Sequence, residues 1–108
     1  MAYTDKAEFN IPRHVVQKGS VNPETITVNK TLVYSDSTYQ LLKNVTGGLD
    51  VILPAFKDGA HFWIKSRSSS TSTITVKDAA AVTIVALGAG EAVLVVSDGS
   101  AWWDVIKA

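Results

Sequence analysis

The stretch EAVLVVSDGSAWWDVI, Glu91 to Ile106, decides the fold class. Its apolar run, Ala92 to Val96, is short and rich in Val, and β-branched side chains fit a pleated strand better than a helix. Ser97-Asp98-Gly99-Ser100 follows and reads as a tight hairpin, because Gly supplies the positive φ such turns need. A second strand then runs from Ala101 to Ile106. Neighbouring residues of a strand point to opposite faces, so Trp102 and Trp103 cannot both enter one core.

The same punctuation recurs upstream. Ile26, Val28 and Leu32 recur at even spacing. Tyr39–Leu42 closes at Lys43-Asn44, and Leu49–Leu53 at Pro54 and Lys57-Asp58-Gly59. Ala60–Lys65 closes in a polar run beginning Ser66-Arg67-Ser68, and Thr73–Val76 at Lys77-Asp78. Val82–Leu87 closes at Gly88-Ala89-Gly90, and Ala79–Ala81 leads into that strand as a turn. Short strands at this spacing predict an all-β domain over residues 24–108, a single antiparallel β-sandwich or a jelly-roll-like barrel. The expected core is Leu53, Phe62, Ile64, Ile74, Val76, Ile84 and Trp102, with Ser66–Ser72 as an exposed loop.

Residues 1–23 differ: they carry mixed charge, two prolines and no sustained period. They read as an extended N-terminal arm, with Pro12 favouring an extended Ile11 and Asn22-Pro23 a turn. Phe9, Ile11, Val15 and Val16, flanked by Arg13, His14 and Lys18, form an apolar strip suited to docking.

Composition narrows the function. A chain of 108 residues fits one domain with its own core. The absence of cysteine excludes disulfides and thiolate metal sites. Zero formal net charge argues against a nucleic-acid partner and leaves no charge repulsion against self-association. No apolar run is long enough to span a bilayer, and Met1–Phe9 lacks the pattern of a signal peptide. His14 and His61 stand apart without metal-ligand spacing, so neither a metal nor a catalytic acid–base pair is expected, and no cofactor motif is present. The aspartates fall mostly in turns, where a carboxylate caps the backbone two residues on. The chain is therefore expected not to be an enzyme.

Several strands are apolar on both faces, Ala92–Val96 and Val82–Leu87 among them, and in Phe62-Trp63-Ile64 the central Trp opposes its neighbours. One small domain has one core to offer, so the second face calls for another subunit. Trp63, Val85, Val93, Val95 and Trp103 are the residues expected there.

The order Leu49-Asp-Val-Ile-Leu-Pro54, Asp58-Gly-Ala-His-Phe-Trp-Ile-Lys65, Thr73-Ile-Thr-Val76 and Gly90-Glu91 through Ser97-Asp-Gly-Ser-Ala-Trp102 resembles a β-domain of tailed-phage structural proteins. The resemblance covers about Leu32 to Ile106; Trp103 departs from it, standing where smaller residues are common. It implies a homotrimer made in the host cytoplasm and placed on the virion. The arm-plus-domain layout favours a capsid decoration (cement) protein on the outer head surface. Phe9, Ile11, Arg13, Val15 and Val16 would then grip the major capsid protein. The alternative is a trimeric tail-fibre or tail-spike component that binds a host-surface glycan.

Overall fold

A computed structural model describes residues 17–108. Nine strands and no helix are found among them: β1 (Lys18–Ile26), β2 (Lys30–Thr31), β3 (Ser37–Asn44), β4 (Leu49–Ile52), β5 (His61–Ser66), β6 (Ile74–Lys77), β7 (Thr83–Leu87), β8 (Ala92–Ser97) and β9 (Trp102–Lys107). They form a five-stranded sheet in the order β1-β3-β5-β8-β9 and a four-stranded sheet in the order β2-β4-β6-β7.

The all-β class stands, but antiparallel pairing throughout does not. β1, β3 and β5 run parallel, as do β2, β4 and β6; only β7, β8 and β9 pair antiparallel. Parallel neighbours need a crossover, and here each crossover is a strand of the other sheet. The chain therefore winds between the sheets in three coils, β1–β2, β3–β4 and β5–β6, before β7, β8 and β9 close the stack.

Alternation explains the core. Phe62 and Ile64 of β5, Val93 and Val95 of β8, Val51 of β4 and Ile74 and Val76 of β6 all point inward and are fully buried in one cluster. Of the expected core, only Ile84 is half-buried, because a register shift sets in beside it where β6 meets β7. Trp102, not Trp103, fills the core; its indole donates to the Pro54 carbonyl at 2.9 Å and its ring lies 6.1 Å from Phe62. The Ala79–Ala81 turn is present, and Ala81 takes a φ of 65° there. The Asp78 carboxylate holds this turn by accepting from the Ala80 and Val82 amides.

The arm boundary needs correction. β1 begins at Lys18, and Asn22-Pro23 lie inside it rather than in a turn. β1 is an edge strand paired only to β3, and an edge tolerates a proline that cannot donate to a ladder. Its inward positions are polar until Ile26 enters the core: Asn22 donates to Gln40 Oε1, and Glu24 pairs with Lys30 of β2 at 2.9 Å. Lys30, then Asn22, holds the Glu24 carboxyl below its usual range. This ion pair joins the edge strands of both sheets across the first coil.

Candidate assembly face

Each sheet has an outer face, and the two differ in chemistry. On the four-stranded sheet Thr31, Asp50, Ile52, Thr75, Lys77 and Ala86 point outward, with Asp50 and Lys77 paired at 3.0 Å. That is an ordinary solvated surface.

The five-stranded sheet is otherwise. Register places Val21, Tyr39, Trp63, Leu94 and Ile106 side by side in one row across all five strands. Pro23, Leu41 and Ala92 flank the row on one side, Val96 and Trp103 on the other. Val21, Tyr39, Trp103 and Ile106 are between 41% and 56% exposed. Scattered apolar residues are normal on a surface, but a contiguous band of them marks an interaction site. A shallow hollow of about 250 Å³ opens between Tyr39, Leu41, Trp63, Lys65 and Ala92, where the small Ala92 leaves room beside larger neighbours.

Charge is distributed unevenly along the strands. Lys43 and Lys65 stand at the C-terminal ends of β3 and β5, on the outward parity. Asp98 stands past the far end of β8, beside Trp103, and Asp58 lies against the same loop, close to Gly99. Two further lysines lie near the aspartate end: Lys18 on the outermost strand β1, and Lys57, whose ammonium sits 5.3 Å from the centre of the Tyr34 ring; at the lysine end Glu91 is paired with Lys107 at 3.4 Å. Gln17 is anchored at this end as well, its amide bonding the backbone N–H and carbonyl of His61.

Trp103 is not a loose surface ring. Its indole N–H donates to Asp98 Oδ2 at 3.0 Å, while Asp98 Oδ1 accepts from the Ser100 and Ala101 amides and the Ser100 hydroxyl. These donors, the Ser100 amide foremost, hold the Asp98 carboxyl down at about 2. A depressed carboxylate pKa contributes stability that is present above the unfolded value and lost as pH falls through the folded one. The β8–β9 hairpin should therefore keep its turn until pH drops below 3.8 toward 2. Following the Asp98 carboxyl carbon and the Trp103 indole proton by NMR should give one shared midpoint near 2. An Asp98 midpoint at 3.8 would dissociate the carboxylate from the ring.

The structure sorts the residues expected at a subunit contact. Trp63 and Trp103 lie on the apolar outer face. Val93 and Val95 are fully buried inside the chain's own core, so they cannot reach a partner; β8 alternates, and it is Ala92, Leu94 and Val96 that face outward. Val85 also packs against the core, paired with inward Val76. Val21, Tyr39, Leu94 and Ile106 complete the row and are not among the expected residues, because strand register across a sheet is not written in any one segment. The expected arm contacts Phe9, Ile11, Arg13, Val15 and Val16 lie outside the described residues. His61 faces outward at the strand end, its ring Nδ1 3.4 Å from the Gly59 carbonyl.

The chain matches no family model, no curated protein and no solved structure.

Proposed function

We propose that this chain is an assembly module of a phage particle, a capsid decoration protein that works through protein–protein contact. The observation that carries the reading is the contrast between its outer faces: one polar and ion-paired, the other a five-strand apolar row. A sheet that exposes such a row gains by covering it, since each square ångström of apolar surface removed from water is worth about 25 cal/mol. The phage assignment comes from the sequence resemblance, with Phe9, Ile11, Arg13, Val15 and Val16 as the proposed grip on the major capsid protein. Many copies bridging neighbouring shell subunits stabilise the shell by binding only its assembled form.

The hollow beside Trp63 weighs against the glycan-binding alternative. Sugar sites pair an aromatic ring with carboxylate or amide groups aimed at hydroxyls, whereas these walls offer at most the Lys65 ammonium and the Tyr39 phenol. Gln40 is part of the lining but its side chain is buried, bonded to Ser37 and Asn22.

The test is co-sedimentation of purified protein with empty heads of the phage that encodes it, with a glycan array in parallel. Saturable binding to heads with a blank array is the expected result. Glycan binding without head binding would move the protein to the tail.

A further inference from the structure

We infer that the outer face of the five-stranded sheet pairs with the same face of a second copy, about a two-fold axis lying along the Val21–Tyr39–Trp63–Leu94–Ile106 row. This rests on reading that face as an assembly surface, and is independent of the phage assignment.

Charge chooses the occupant and the axis. Two copies of one face can meet about an axis in the plane between them. An axis running along the strands would set lysine end over lysine end. An axis running across the strands, along the row, reverses strand direction between copies. It sets Lys65 of each copy toward Asp58 and Asp98 of the other, so the face is complementary to itself. Opposite charges at the rim fix register and suppress wrong pairings.

Shape agrees. With the row packed on itself, β5 crosses β5 and β8 crosses β8, so the Val96 end of one copy lies over the Ala92 end of the other. A branched side chain then meets the hollow beside Ala92. Trp63 lies near the axis and meets its own counterpart, and paired aromatics are favoured at the centre of contacts.

Area sets the strength. Five strands about 4.8 Å apart, over about six residues of 3.3 Å, give roughly 500 Å² per copy. Two such faces bury about 1,000 Å², the lower bound for a specific interface, which places the pairing among weak, transient contacts. A threefold arrangement, as the resemblance implies, would require another surface.

Sedimentation velocity on the full chain, from micromolar to near-millimolar concentration, tests this. The wild-type chain should pass from monomer to dimer, and added salt should weaken the dimer. Lys65→Glu and Asp58→Lys should each weaken pairing several-fold, and the double variant should restore it. Trp63→Ala should abolish it while circular dichroism shows the fold intact. A chain monomeric throughout overturns the inference, as does a trimer as smallest assembly, or association indifferent to all of these substitutions. Dimers that fail to bind heads would leave the pairing standing and sink the phage reading alone.

Discussion

Replacing Phe62 with Ala is expected to destabilise the fold by about 3–5 kcal/mol, the usual range for truncating a buried aromatic. Phe62 is fully buried on the middle strand of the larger sheet. Its ring stacks on Tyr34 at 6.4 Å and tilts against Trp102 at 6.1 Å. Both neighbours are tethered to one loop: Tyr34 donates its hydroxyl to the Ala55 carbonyl and Trp102 its indole to that of Pro54. These tethers keep the rings from collapsing into the space a truncation leaves, so the cavity cost is retained. A domain of this size has a total stability of about 5–15 kcal/mol, so the loss should be a large share of it. Urea denaturation followed by tryptophan fluorescence measures it. A midpoint unchanged from wild type would mean that Phe62 does not hold the two sheets together.

The same residues show how far the sequence can be read. Alternation in His61–Ser66 and Ala92–Ser97 is plain, and the choice of Phe62, Ile64 and Trp102 as core follows from it. The Asp98-Gly99 turn is equally legible, because its chemistry is local: the carboxylate caps the amide two residues on. Pairing direction is not local. Ser-, Gly- and Asp-rich breaks close a strand whether the chain next turns back beside it or crosses to the opposite sheet. Leu49–Ile52 thus follows β3 in sequence as a hairpin partner would, although it belongs to the other sheet. Val93 and Val95 fall in the core rather than at a contact for a related reason. A run apolar on both faces announces two buried surfaces without saying which parity takes which, and the core took the odd one. The arm boundary failed at Pro23, since a proline signals a break except on an edge, and only topology reveals the edge.

Asn44 illustrates a determinant wholly hidden from sequence reading, and its replacement by Ala should cost about 1–3 kcal/mol. The residue looks like a turn Asn after Lys43. In the fold it ends β3 facing inward, fully buried, where two loops of successive coils meet. Its amide nitrogen donates to the Gly47 carbonyl at 2.7 Å and the Thr73 carbonyl at 3.0 Å. Its side-chain oxygen accepts from the Thr46 amide and hydroxyl, both at 3.1 Å. Its backbone is engaged too: the Ser70 hydroxyl accepts from its N–H, and its carbonyl accepts from Thr71 and Ser72. Ser70, expected in an exposed loop, is therefore buried for a reason. Alanine would leave the Gly47 carbonyl and the Thr46 donors without a side-chain partner and the Thr73 carbonyl with the Leu49 amide alone. Thr46, Gly47 and Thr73 are exposed, so water replaces part of what is lost, and the net cost is about 1–3 kcal/mol. Asp at this position separates the roles: it keeps the acceptor for Thr46 but sets a carboxylate oxygen against the Gly47 and Thr73 carbonyls, so it should be no better than Ala. Thermal unfolding of the two variants decides the matter, with hydrogen exchange at the Thr46 and Ser72 amides as the local readout. If Asn44→Ala kept the wild-type midpoint and slow exchange at both amides, the two loops would have to be held by their own backbone bonds.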